Sequence, residues 1–145
     1  MNKIVDIRKP TKKKDNLPLY LEAALDILGV SGITVYIVDM PELSTQNYTF
    51  LGITEKLEMP DSYRLYLQPT ATLPTKKTTI CHEAIHIRQY HSGRLLVKDK
   101  KTLIFDGKEY KPPYDRNQPH EKEAFKGQNK LKKQVNEKIK KLQHR

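Results

Sequence analysis

Acidic residues are scarce in this chain: 17 Asp and Glu stand against 27 Lys and Arg, a formal net charge of +10. Cysteine is scarcer still. The single Cys81 excludes an intramolecular disulfide and suits a reducing compartment, so a cytoplasmic location is expected. Nowhere do 18 apolar residues run together, and no membrane-spanning helix is expected. Met1 to Asp6 has no apolar stretch of the signal-peptide kind, so no signal sequence is expected. There is no internal repeat and no linker long enough to hold a second domain away from the first. The 145 residues read as one domain with one modest core.

The positive charge is unevenly placed. Residues 126–145 hold eight Lys and Arg against one acid, Glu137, and supply +7. A solvated helix face is the plain reading of this tail, and contact with nucleic acid or an acidic partner is the less favoured one. A second run, Lys12-Lys13-Lys14, lies in a stretch, residues 1–16, that reads as a flexible arm.

The pattern of the chain predicts an α+β domain. Pro18–Leu28 reads as a helix, with Leu21, Ala24, Leu25 and Leu28 on one stripe, Asn16 at its cap and Gly29 as its stop. Ile33–Val38 is rich in β-branched residues and reads as a buried strand. Tyr48–Ile53 and Tyr63–Leu67 read as two more strands, with a loop at Pro41–Gln46 and a turn at Pro60-Asp61-Ser62. A helix is predicted over Thr75–Ser92, with Pro74 and the preceding threonines at its start and Gly93 at its end. Three short strands follow at Leu95–Val97, Thr102–Phe105 and Lys108–Tyr110, the last two joined by an Asp106-Gly107 hairpin turn. A final helix opens at Pro119 and runs to about Leu142, with Gly127 as a weak point.

The chemistry concentrates in His82-Glu83-Ala84-Ile85-His86, an H-E-x-x-H pattern inside the predicted helix. Residues four apart lie one above the other on a helix face. Two imidazoles projected that way can reach one Zn²⁺ at about 2.0–2.1 Å each. Glu83 lies near enough to touch a metal-bound water without being a ligand, as a general base must. Cys81 points about 100° away from His82 and reads as a small core residue.

Such a zinc site needs a third protein ligand. His91 falls one position away from where an H-E-x-x-H-x-x-G-x-x-H pattern requires a histidine, and Gln89 and Ser92 occupy the Gly and His positions. His120, Glu121 and Glu123 remain. On the final helix Glu121 shares a face with Ala124, Leu131, Val135, Ile139 and Leu142, whereas Glu123 falls on the polar side. A carboxylate on an apolar stripe needs a partner, and a metal is a good one, so Glu121 is the expected third ligand. Complementing the positive helix N-terminus is the ordinary alternative role for both glutamates.

H-E-x-x-H followed by a helix that begins E-x-x-A resembles the gluzincin zinc metallopeptidases, in particular their minimal, phage- and mobile-element-type versions. Their second motif, R-P-W-E-x-E-A, corresponds here to the stretch Arg116-Asn117-Gln118-Pro119-His120-Glu121-Lys122-Glu123-Ala124-Phe125. The resemblance covers residues from about 63 to 128. It implies a small zincin fold: an N-terminal helix, a twisted, mostly antiparallel sheet of about three strands, the motif helix, a hairpin insertion and a ligand helix. It also implies that Tyr63–Leu67 is the edge strand bordering the cleft, that His82, His86 and Glu121 bind Zn²⁺, and that Glu83 is the base for hydrolysis of a peptide or protein substrate. The sequence departs from the pattern twice. Phe125 stands where many gluzincins carry an Asp that orients a histidine, and His120 replaces the tryptophan. Tyr110, Tyr114 and His120 are the candidates to stabilise an oxyanion. Two other functions fit the residues: a zinc-binding scaffold with little peptidase activity, and a basic nucleic-acid- or partner-binding module.

Overall fold

The computed structural model describes residues 1–10, 14–40, 51–112 and 116–144. In chain order its elements are β1 (Lys3–Asp6), α1 (Leu17–Ile27), β2 (Thr34–Asp39), β3 (Gly52–Lys56), β4 (Ser62–Leu67), α2 (Leu73–His91), β5 (Leu95–Asp99), β6 (Thr102–Phe105), β7 (Lys108–Tyr110) and α3 (Pro119–Gln143). The α+β class follows directly. Among the described residues two sheets form, one of four strands in the order β1-β2-β4-β3 and one of three in the order β5-β6-β7.

The larger sheet departs from expectation in three ways. It has four strands rather than three, because Lys3–Asp6, inside the stretch read as a flexible arm, pairs with β2. Two apolar residues between charged ends give too short a pattern to read as a strand; the pairing with β2 supplies the structure. Two of its three pairings are parallel, not antiparallel: β1 with β2, and β2 with β4. The helix α1 crosses over between β1 and β2, a connection that parallel neighbours require. The edge strand beside the motif helix is β3, not Tyr63–Leu67, and β1 forms the other edge. Strand β4 is hydrogen-bonded on both sides, to β2 and to β3. Its residues Tyr63, Leu65 and Leu67 are buried, whereas β3 exposes Ile53, Glu55 and Lys56, and charged residues suit an edge. The first residues expected in the second strand, Tyr48–Phe50, and the loop Pro41–Gln46 lie outside the described residues.

One contiguous core joins α1, the inner sheet face, α2 and α3. Leu21 and Leu25 of α1, Val35 and Ile37 of β2, Leu65 of β4, Ile80 and Ile87 of α2, and Val135 of α3 are all essentially inaccessible. Each such aliphatic side chain stabilises the fold by about 1.5–3 kcal/mol through burial. Cys81 belongs to this core and is fully buried, and burial pushes its thiol pKa up to about 11.

Helix ends follow local chemistry. Thr72 caps α2 by accepting from the Thr75 N–H, and Pro74 lies in the first turn. At α1, Asn16 is the cap residue but sits in the left-handed region (φ 56°) and makes no side-chain cap bond. The Asp106-Gly107 turn has both residues at positive φ, 49° and 84°, as a tight hairpin between twisted strands requires. On α3, Ala124, Leu131 and Val135 are buried and Ile139 packs against the core, but Leu142 is exposed. Gly127 has a use that its weak helix propensity hides. A Cβ there would lie 3.0 Å from Ile85 Cδ1, so its absence lets α3 approach α2 closely. That approach brings the first turns of α3 to the motif helix. Among the described residues, no helix is long and apolar enough to cross a membrane.

Candidate metal centre

From Thr79 to Ile87 every residue of α2 is buried. The polar members of that stretch therefore need partners, since a buried polar group without a hydrogen bond is destabilising. His82, Glu83, His86 and Gln89 are all at or below 9% exposure, and each has one.

Three donor atoms converge. Glu121 Oε1 lies 2.9 Å from His82 Nε2 and 2.8 Å from His86 Nε2, and the two Nε2 atoms are 3.2 Å apart. Helical spacing sets the two histidines on one face of α2, and the close packing of α3 delivers the carboxylate. Of the three residues considered as third donor, Glu121 joins the cluster and the other two do not. His120 is buried with its ring 5.8 Å from that of His86, centroid to centroid, and packs beside Phe105 and Tyr110. Burial lowers its pKa. Glu123 does not face solvent as its helix position suggested. It is half-buried, paired with Arg94 at 2.8 Å and hydrogen-bonded by Gln89. His91 lies apart, 3.7 Å from Asp61. Of the oxyanion candidates, Tyr110 and His120 are near neighbours, and Tyr114 lies outside the described residues.

The orientation of His86 is set by a chain of bonds. Gln89 Nε2 donates to the His120 carbonyl at 3.0 Å and to Glu123 Oε1 at 3.1 Å, two groups that act as acceptors. Its Oε1 must then face His86 Nδ1, at 2.7 Å, so Nδ1 carries the proton. A neutral His86 consequently presents an Nε2 lone pair to Glu121 and to His82. At His82, Nδ1 meets Gln128 Oε1 at 2.9 Å; with that oxygen as acceptor, a neutral His82 likewise turns its Nε2 lone pair toward Glu121. Two lone pairs and a carboxylate oxygen thus face one another, and such a cluster of acceptors calls for a cation, either a proton or a metal ion.

The electrostatics express that demand. Burial alone would lower the pKa of His86; the hydrogen bond to Glu121, then the charges of Glu83 and Glu121, outweigh burial and push it up to about 9. Burial would raise the pKa of Glu121, but the hydrogen bonds from His82 and His86 hold it well below the usual carboxylate range. Two imidazoles and one carboxylate are also the donor set of a catalytic zinc site that keeps a fourth position open. Ligand bonds of about 2.0–2.1 Å in a tetrahedron place donors about 3.3–3.4 Å apart, so the trio need open by only about half an ångström to hold the ion. The residues fit the metal. Among the described residues this is the one group of three or more His, Cys, Asp or Glu side chains close enough to share an ion.

Glu83 stands beside the trio without joining it. It is buried, its charge acts on His86, and its Oε1 accepts a 2.8 Å hydrogen bond from Thr54 Oγ1 on the edge strand β3. Two residues earlier, Gly52 brings the backbone of β3 onto α2. A Cβ at Gly52 would sit 2.4 Å from Thr79 Cγ2, 3.0 Å from the Tyr66 carbonyl and 3.4 Å from Glu83 Cγ. Gly52→Ala is therefore expected to destabilise the fold by about 1–3 kcal/mol, as overpacking does. Urea unfolding monitored by circular dichroism would measure it, and an unchanged midpoint would show that the strand and helix separate without strain.

Phe125, at the position where the resemblance implies an aspartate, forms a wall. Its ring meets that of His82 edge-on at 4.4 Å, and the Arg116 guanidinium covers it at 4.3 Å from the ring centroid. Orientation of His82 passes to Gln128, three residues later. Gln89, Gln128, Thr54, Gly52 and Arg94 are members of the site for which the residue pattern alone predicts no role there. The two glutamines had a signal: Gln89 lies three residues after His86, and Gln128 seven after Glu121, both spacings that share a helix face. Thr54 reaches the site from β3 and Arg94 from the bend just before β5, and neither carries a local mark.

Glu123 and Arg94 extend the chain of bonds outward. Arg94 binds both Glu123 oxygens and both Asp106 oxygens, which ties the turn between β6 and β7 to α3. Orienting partners of metal ligands are typically worth about 10–100-fold in affinity. Gln89→Ala is expected to weaken zinc binding by that factor. Glu123→Ala acts through Gln89, so the double variant should bind zinc about as well as Gln89→Ala alone. Competition with a chromophoric chelator checks both statements, and full additivity would show that Glu123 acts by another route.

Compared with models of known protein families and with curated proteins, the chain matches none.

Proposed function

We propose that the protein is a zinc-dependent peptidase of the gluzincin type, with His82, His86 and Glu121 as metal ligands and Glu83 as general base. One observation carries the reading: two imidazole nitrogens, each with its far side occupied by a glutamine oxygen, meet a partly buried carboxylate across 2.8–2.9 Å. Zinc held there would supply Lewis-acid polarisation of the scissile carbonyl and a water whose pKa is brought to about 7.

The chain's own residues supply the rest. Glu83, with Oε1 held by Thr54, keeps its second oxygen to accept the proton of the attacking water and hand it to the leaving amine. Strand β3, whose outer side pairs with no other strand among the described residues, offers backbone donors and acceptors to an extended peptide. The candidate base and the candidate substrate strand are thus joined through the Thr54 hydroxyl.

The test is cleavage of a mixed-sequence peptide library followed by mass spectrometry. The zinc-loaded protein should generate new termini, a chelator in excess should stop the reaction, and added zinc should restore it. If the zinc-loaded protein leaves the library intact, the centre is a metal-binding scaffold and not a peptidase.

A further inference from the structure

The peptidase reading makes no use of the outer face of α3. That helix carries eight lysines and three glutamates. Two of the glutamates turn inward, Glu121 to the histidines and Glu123 to Arg94. Two of the lysines are engaged: Lys132 with the Pro74 carbonyl and Thr78, and Lys138 with Asp26. The remaining six are Lys122, Lys126, Lys130, Lys133, Lys140 and Lys141. Among the described residues none of these six takes part in an ion pair, and all are exposed.

Their spacing is regular. At about 100° per residue, Lys122, Lys126, Lys133 and Lys140 fall within about 40° of one another, and Lys130 and Lys141 flank them on one side. The row is about 27 Å long at 1.5 Å per residue. It lies opposite the buried stripe of Ala124, Leu131 and Val135, so a ligand along it would leave that packed face undisturbed. Two acids share this side of the helix, Glu137 and Glu123, and the second is paired with Arg94.

We propose that this lysine row binds the phosphate backbone of duplex nucleic acid without sequence preference. Three features favour that ligand. A line of cations of uniform spacing matches a polyanion of uniform charge density, and neutralised phosphates release counterions. A protein interface would need apolar anchors at its centre, and the row contains none; the exposed Leu142 lies beyond its end. A single-stranded ligand would need aromatic side chains on which bases stack, and this face has none.

The test is fluorescence anisotropy of a labelled 20-base-pair DNA duplex titrated with the full chain at several KCl concentrations. Neutralising four to six phosphates predicts a slope of log K against log salt of about −4 to −5, a loss of about 10²–10³-fold between 50 and 200 mM. The triple variant Lys126→Glu/Lys133→Glu/Lys140→Glu should bind at least about 100-fold more weakly and flatten the slope by about 3. The triple Gln variant should move the same way by a smaller step, and circular dichroism reports whether each variant is folded. The control Lys3→Glu/Lys56→Glu/Lys108→Glu makes the same change in net charge on the two sheets and should stay within about fivefold of wild type, since surface charges beyond a Debye length are screened. Three results would overturn the proposal: no binding at 50 mM KCl, equal loss in the control, or competition by polyglutamate as strong as by unlabelled duplex. The last would mark an acidic protein as the partner. None of these results depends on the metal centre.

Discussion

Zinc added to the purified protein should bind at one equivalent and raise the midpoint of thermal unfolding by about 8–16 °C when free zinc stands at a thousand times its dissociation constant. The size follows from mass action. A ligand at that excess stabilises the native state by about 4.1 kcal/mol, and a domain of about this size gains about 2–4 °C per kcal/mol. His86→Ala and Glu121→Ala should each lower the affinity by at least about 10³-fold, beyond the 10–100-fold assigned to residues that only orient a ligand. Glu123→Ala should fall in that lower range, and Cys81→Ala should leave the affinity unchanged because its thiol is buried in the core, away from the trio. Isothermal titration calorimetry with a chelator competitor separates these cases. Equal losses in Glu121→Ala and Glu123→Ala would show that the carboxylate 2.8 Å from His86 is not a ligand. The variants also carry a diagnostic sign. Removing Glu121 from the metal-free protein takes away the partner of two buried imidazoles, so Glu121→Ala should destabilise the apo state as well.

Glu83→Gln should keep zinc within a factor of a few and lose about 10²–10⁴-fold in the rate of peptide cleavage, the range attributed to general acid–base catalysis. The two readouts diverge because Glu83 is not among the converging donors. Glutamine preserves the shape of the side chain and can still accept from Thr54, but it cannot take a proton from water. Thr54→Val should show a smaller fall in rate with zinc affinity unchanged, since the base would keep its chemistry and lose the bond that aims it. A Glu83→Gln protein that still cleaves the library at the wild-type rate would remove Glu83 from the mechanism and leave the general base to be sought elsewhere.

Much of this architecture is legible without any tertiary contact. The two long helices can be read from the 3.6-residue recurrence of Ile80, Ala84 and Ile87 and of Ala124, Leu131 and Val135, because a helix writes its buried face into consecutive residues. The turn at Asp106-Gly107 can be read because left-handed backbone selects its residues. Strand β1 cannot: four residues with two apolar members hold no period, and partners 31 positions away decide their fate. The edge position of β3 is equally hidden, since strand order is a property of pairing and not of composition.

The candidate centre divides along the same line. By itself the chain determined that two imidazoles share one face of a helix and that Glu121 sits on an apolar stripe, since both follow from fixed helical geometry. Only the tertiary structure decided that Gly127 lets α3 close on α2, that Gln89 and Gln128 turn both histidines with their lone pairs inward, and that Thr54 of the edge strand holds Glu83. These depend on distances between segments far apart in the chain, and such distances are set by how whole faces pack and not by any local pattern.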